Sequence, residues 1–483
     1  MKPTAIYYTI LILSCALGIV AVLHLGQRLP TPGAQTPRPP EQRHDRSTDV
    51  SSARAGVVQS SSVRTLHDPV GQLLLQLLVI LAASRLVGRL FSAVGQPPVV
   101  GEMAAGVLLG PSLFGLTWPA GFHFVFPDES FGTLRLLSQL GVCLFMFAVG
   151  MELEFGHVRK RARAAVVVSN ASIIVPYFLG VVLASFFYSQ LAAPGATFTA
   201  FALFMGISMS ITAFPVLARI LQDRRLSKSS LGTMAITCAA AGDATAWSIL
   251  ALVVAIARAS NVASSLVSLG FVLLFIAVML VGVRPALARV LTPAQLEGEP
   301  SKGILALVVC VVVASALTTE LIGIHGLFGA FLAGAIMPET GGFRHKLGVR
   351  IENFSSVLLL PLFFVFTGLR TQFGLLNGIQ DWLLCLLIVA VATAGKLGGT
   401  AVSARLTGMN WRDSLQLGAL MNTRGLMELI ALNIGLDLGI LSPRIFTMLV
   451  IMALATTALT GPLLTLFGKR QTAPQTAAEY STY

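Results

Sequence analysis

Between Pro69 and Phe467 the chain alternates apolar runs of about twenty residues with short polar loops. A helix of that length reaches across the hydrocarbon core of a bilayer, and inside lipid a helix satisfies all of its own backbone groups. The pattern predicts about thirteen membrane-crossing helices, starting near residues 70, 97, 132, 164, 197, 231, 263, 303, 322, 353, 382, 415 and 445. The fold class is therefore an all-α polytopic membrane protein with a membrane domain over 69–468. Residues 1–26 carry one further apolar run, Ala5 to Leu23 behind Lys2, whose length fits either a signal peptide or an uncleaved anchor. Residues 27–68 turn rich in Pro, Ser, Arg and Gln and lack periodicity, which predicts a disordered linker. Residues 469–483 are a short polar tail, too small to bury a core.

Composition agrees: 55% of the 483 residues are hydrophobic and 11% charged, a balance that excludes an ordinary water-soluble domain. A net charge of +12 would suit a nucleic-acid binder. The basic residues lie instead in alternate loops and helix ends, among them Arg85, Arg89, Arg159 to Arg163, Arg219 to Lys228, Arg344 to Arg350 and Lys469. The opposite set holds only Arg135, Arg258, Arg370 and Arg444. By the positive-inside rule the first set is cytoplasmic, which places the linker outside and the C-terminus inside. The five cysteines and seven histidines are dispersed without metal-ligand spacing, so they predict buried packing for the cysteines and no cofactor. GIHGLFGAFLAG and GKLGG read as small-residue packing faces, because no strand precedes them and no Walker lysine-serine follows. Neither an ATP-driven pump nor an enzyme is indicated.

Gly141 to Phe155 (GVCLFMFAVGMELEF) and Leu359 to Phe373 (LLPLFFVFTGLRTQF) resemble one another. Each is followed by an ordinary helix, a helix with breaker residues at mid-span, and another apolar helix. The interrupted members are Gly206 to Ile220, broken at Pro215, and Gly418 to Leu432, broken around Asn422, Thr423 and Gly425. An odd number of crossings separates the copies, so they run in opposite directions as an inverted repeat. Paired discontinuous helices of this kind hold ions at the midplane of alternating-access transporters.

Asp243 is the only charge in its span, and an isolated carboxylate there costs several kcal/mol to bury. Desolvation favours the protonated form of a carboxylate, so protons and metal cations can compete for such a group. A purely structural aspartate, satisfied by Thr245 and backbone amides, is the alternative. Lys396, flanked by glycines, could face Asp243 and either carry a proton or neutralise it; the alternative is snorkelling to the cytoplasmic interface. Arg424 and Glu428 stand four apart on the second interrupted helix, as an ion pair serving structure or gating. Thr212 and Asn422, at the two breaks, offer oxygens to an ion or caps to half-helices. Glu102, Glu320 and Asp437 fall near span ends, where water can reach them.

QPPVVGEMAAGVLLGPSLFG, SITAFPVLARIL, GIHGLFGAFLAGAIMP, LLLPLFFVFTGLRTQ and NTRGLMELIALNIGLDLGI together resemble the cation:proton antiporter superfamily, in the branch of bacterial potassium-efflux and sodium/proton antiporters and plant cation/H+ exchangers. The resemblance covers nearly all of 69–467. It implies a panel or dimerisation domain beside a core domain with two crossed discontinuous helices, a homodimer in the bilayer, and exchange of K+ or Na+ for H+. On the matching positions it implies that Asp243 binds the cation and the proton, that Lys396 is the intramembrane lysine, and that Thr212 and Asn422 are the polar residues at the crossing. One departure stands out: relatives carry an acidic residue or Asn before the aspartate, whereas this chain has Gly242. A single carboxylate makes one proton for one cation the simplest cycle, unless Lys396 also releases a proton. A bacterial inner membrane is the expected location. A channel-like efflux protein without proton coupling and a transport-inactive membrane sensor are the rival readings.

Overall fold

The computed structural model describes residues 3–32, 68–152, 162–227, 229–258, 262–291, 301–338 and 342–468. Most of the expected linker, the expected tail and the basic loop around Arg159 lie outside the described residues. Among those residues twelve helices are long and apolar enough to cross a membrane, one of them N-terminal. In chain order the principal helices are α1 (Pro3–Gly26), α2 (Pro69–Ala93), α3 (Pro98–Leu109), α4 (Phe131–Glu152), α5 (Ala162–Leu191), α6 (Phe198–Ser210), α7 (Phe214–Asp223), α8 (Ser230–Arg258) and α9 (Val262–Ala277). They continue with α10 (Lys302–Ile322), α11 (Gly326–Ala335), α12 (Phe343–Phe354), α13 (Leu360–Leu369), α14 (Ile379–Leu406), α15 (Trp411–Met421), α16 (Leu426–Asp437) and α17 (Pro443–Phe467).

One expected span is short, and the two read as interrupted are divided, the one beginning near 197 into α6 and α7. The one beginning near 322 is the ten-residue α11, because Gly323 turns the chain in a left-handed conformation at φ 92° and ends α10 there. The one beginning near 415 is divided into α15 and α16 by Asn422 to Gly425.

The helices form two groups. In the panel, α3 packs on α2 and α13, and α4 packs on α11 and α13. Small residues set the closeness of these crossings: a Cβ added at Gly334 would lie 2.1 Å from the Phe147 carbonyl oxygen, and one at Gly329 2.1 Å from that of Ser315. Such contacts replace the hydrophobic effect, which does not draw helices together inside lipid. In the core, α5 packs on α6, α8 and α14, α7 on α8, and α15 on α14 and α17. The elements following the two repeat segments thus recur in the same order, α5–α6/α7–α8 and α14–α15/α16–α17. The α1 helix lies against α5 and α6.

Cysteine placement differs from the expectation of uniform burial. Cys15, Cys238 and Cys385 are buried, Cys143 is half-buried, and Cys310 is exposed on α10, a surface suited to hydrocarbon because a thiol is a small apolar group. The four arginines on the sparsely charged face behave consistently. Arg135 and Arg370 pair with Asp437, Arg258 with Glu320 and Arg444 with Asp381. Each of these four arginines therefore has a carboxylate beside it.

Candidate functional site

The two interrupted helices meet at their breaks. After Ser210 the chain runs extended through Ile211 (ψ 139°) and Ala213 (ψ 98°) before α7 begins with Pro215 in its first turn. A proline is tolerated there because the first helical N–H groups have no partner within the helix. The second interruption is Asn422 to Gly425. Ala213 N donates to Thr423 O at 3.0 Å, and Thr212 Oγ1 donates to Met421 O at 3.0 Å. Freed backbone groups of one break are thus satisfied by the other. Gly425 permits the approach, since a Cβ there would lie 2.8 Å from Val216.

Arg424, at 0% exposure, donates from Nη1 to Glu428 Oε2 at 2.6 Å, with the carboxylate equally buried. Its two terminal nitrogens also donate to the carbonyls of Ser208 at 2.5 Å and Met209 at 2.6 Å. Lys396 Nζ donates to the carbonyl of Ser210. These carbonyls belong to the last turn of α6, whose acceptors have no intrahelical donors and carry the negative end of the helix dipole. Two cations from the second repeat therefore cap a half-helix of the first. Lys396 is 0% exposed, so its ammonium turns inward and does not snorkel.

Asp243 lies midway along α8 and is buried at 3% exposure; its helix packs on α5, α7 and α15. Lys396 lies within electrostatic reach of Arg424, Glu428 and Asp243, so the four titratable side chains share one buried cluster. Gly242 faces α5, where a Cβ would stand 3.2 Å from Ser169 Oγ. That hydroxyl already donates to Cys238 O at 2.8 Å, and a larger side chain at 242 would have to push it aside.

Thr212 and Asn422 are both buried at the crossing. Asn422 donates from Nδ2 to Thr456 O at 3.5 Å, while its Oδ1 is buried without a hydrogen-bond partner among the described residues. An unengaged amide oxygen beside a broken helix is a hard ligand suited to an alkali cation. The sequence reading missed Thr457 on α17. It accepts from Arg424 N and donates to Arg424 O, each at 2.9 Å, and so serves both exposed groups of the second break. Its only signal was a run of threonines, Thr456, Thr457 and Thr460, on one face of an apolar helix.

On the basic face a cleft of about 880 Å³ lies between the α2–α3 turn (Val94 to Gln96) and the ends of α7 and α17 and the start of α15 at Arg224, Thr465 and Arg412, with Gln96 Nε2 donating to Ala458 O on α17 at 3.3 Å. On the opposite face Arg135 and Arg370 of the panel pair with Asp437 of the core.

Two bundles around crossed interrupted helices, with a buried aspartate beside them, are the architecture of a secondary transporter. Residues 77–470 match the family described as "Sodium/hydrogen exchanger, transmembrane", and the chain belongs to that family. It is 44% identical over 392 residues to the Na(+)/H(+) antiporter NhaS4 of Synechocystis sp., covering 81% of this chain and 96% of that one. It is 39% identical over 401 residues to Cation/H(+) antiporter 19 of Arabidopsis thaliana (82% and 50% covered). It is 32% identical over 417 residues to K(+)/H(+) antiporter 1 of Saccharomyces cerevisiae (83% and 47% covered). The chain spans about half the length of these plant and yeast relatives. Among solved structures, the sodium proton antiporter MjNhaP1 of Methanocaldococcus jannaschii superposes with a TM-score of 0.57 at 15% identity, covering 82% of this chain and 100% of that one. That likeness establishes a shared fold. The chain is thus an integral membrane transporter and not an enzyme.

Proposed function

We propose that the chain exchanges a monovalent cation, K+ or Na+, for H+ by alternating access, with Asp243 as the site the two ions share. The observation that carries this reading is the juxtaposition of Asp243 with Lys396, Arg424 and Glu428 beside two mutually hydrogen-bonded helix breaks. With all four groups ionised the cluster is neutral. Either a proton or a metal cation on Asp243 brings it to a single positive charge, so both loaded forms present the same charge to the membrane. One-for-one, electroneutral exchange follows while Lys396 keeps its proton; release of that proton as well would make the cycle electrogenic.

Thr212 and Asn422 complete the cation's oxygen shell, and Arg424 with Glu428 fixes the half-helix ends. The relatives' names support both ions, as Na(+)/H(+) and K(+)/H(+) antiporters. The charge asymmetry of the loops supports a cytoplasmic basic face and a cytoplasmic C-terminus in a bacterial inner membrane, and the panel offers the surface for a homodimer. With that sidedness the 880 Å³ cleft opens inward. A channel without proton coupling has no use for a carboxylate buried in such a titratable cluster, and a transport-inactive sensor has no use for an intact crossing.

Proteoliposomes enclosing a pH dye test the reading. After a proton gradient is imposed, addition of K+, Na+ or Li+ collapses it, and the responding ion names the substrate. A collapse unaffected by clamping the membrane potential establishes electroneutrality. If no cation dissipates the gradient, exchange is wrong and the channel or sensor reading replaces it.

A further inference from the structure

At the end of the molecule opposite the open cleft, the core and panel are linked through one short stretch of α16. Asn433 and Asp437 stand one turn apart on it and so share a face. Asn433 Nδ2 donates to Thr367 Oγ1 at 2.9 Å and its Oδ1 accepts from Arg370 Nη1 at 2.8 Å. Asp437 accepts from Arg370 with one oxygen and from Arg135 Nη2 at 3.3 Å with the other. Thr367, Arg370 and Arg135 all belong to the panel, on α13, just after it, and on α4. A further tie runs from Gln372 N to Thr447 Oγ1 on α17 at 3.2 Å.

Asn433 and Asp437 line a narrow cavity of about 30 Å³ that runs between the panel and the core, bounded by Ser138, His325, Phe366 and Ile430. It has room for about two waters. Ser138 Oγ and His325 Nδ1 line it without hydrogen-bond partners among the described residues. Burial pulls the His325 pKa below its ordinary value against the field of Glu320, with Arg258, Asp437 and Arg135 also acting on it. Polar atoms left without protein partners in a space large enough for water mark a hydrated crevice.

Resting on the alternating-access reading above, we infer that Asp437, clamped between Arg135 and Arg370 and braced by Asn433, is the outer latch of the exchange cycle, and that the crevice beneath it is the pinched-off outer pathway. Rocking the core away from the panel on this side has to break every one of those contacts. All of them are polar, and the Arg135–Asp437 and Arg370–Asp437 pairs are partly exposed, so water re-solvates the separated charges. Such a pairing holds a closed state without making it irreversible. When the two arginines withdraw, Asp437 is left as a carboxylate at the mouth of the pathway, where it concentrates cations.

The test is the rate at which a membrane-impermeant thiol reagent, applied from outside, labels Ser138→Cys in the full-length protein in liposomes. Labelling is followed at that site by mass spectrometry, with the native cysteines as internal references. With the latch intact, labelling is slow. Adding Asp437→Asn or Arg370→Gln accelerates it about tenfold, the ratio expected when about 1.4 kcal/mol of closed-state preference is lost. The conservative Asp437→Glu, which keeps a carboxylate for both Arg135 and Arg370, stays slow to label, so the acceleration reports loss of the charged latch and not disturbance of the helix end. Unchanged labelling in Asp437→Asn and Arg370→Gln, or labelling of Asp437→Glu as fast as theirs, overturns the latch. Because this readout involves no ion flux, a working latch in a protein that exchanges nothing would separate the failure of the antiport reading from the failure of this one.

Discussion

Asp243→Asn reduces cation/proton exchange to the level of protein-free liposomes while leaving a folded, monodisperse protein. Asparagine keeps the volume and one carbonyl oxygen of aspartate, so packing of α8 against α5, α7 and α15 is undisturbed. It can neither release a proton nor offer a charged oxygen, and both transported ions lose their common site at once. A neutral side chain at this position, 3% exposed, carries the charge of the protonated aspartate, a state the exchange cycle itself passes through, and avoids the cost of burying a carboxylate. The melting temperature in detergent therefore stays level or rises by a few degrees. Exchange and melting measured on one preparation decide the matter: lost exchange with a collapsed melting curve would make Asp243 a structural residue.

Arg424→Gln has the opposite signature, a loss of stability that precedes any loss of transport. The substitution leaves Glu428 buried at 0% exposure without its partner, and it uncaps the Ser208 and Met209 carbonyls at the end of α6. Removing one member of a buried pair destabilises by about 3–5 kcal/mol. The single variant is expected to express poorly and to melt far below the wild type. Adding Glu428→Gln neutralises the orphaned carboxylate and recovers part of that loss, so the double variant melts above the single one. A single variant that melts with the wild type would mean that the half-helix does not depend on this guanidinium.

The parts of the site that share one helix were legible in the sequence, because spacing alone carries them. Pro215 and Gly425 marked the interruptions, four residues between Arg424 and Glu428 put them on one face, and an isolated Asp243 in an apolar run announced itself by its cost. Eleven of the thirteen expected spans followed from run length, since lipid imposes one solution on the backbone. What remained hidden were partners far apart in the chain. Lys396 and Ser210 are 186 residues apart, and Arg424 and Met209 215; no periodicity shows that cations of one repeat cap carbonyls of the other. Asp437 lay at a span end and read as a solvated charge for the same reason, its partner Arg135 being 302 residues away. The shortness of α11 was masked because its apolar run continues directly from that of α10, and only the backbone at Gly323 separates them.

The central claim, one site for which proton and cation compete, is tested most directly by the pH dependence of the cation's apparent KM in proteoliposomes. Competition at Asp243 predicts that on the acid side KM rises about tenfold for each unit of falling pH, while the maximal rate at saturating cation stays constant. A KM independent of pH, with the maximal rate alone falling, would contradict it, because proton and cation would then bind to different groups.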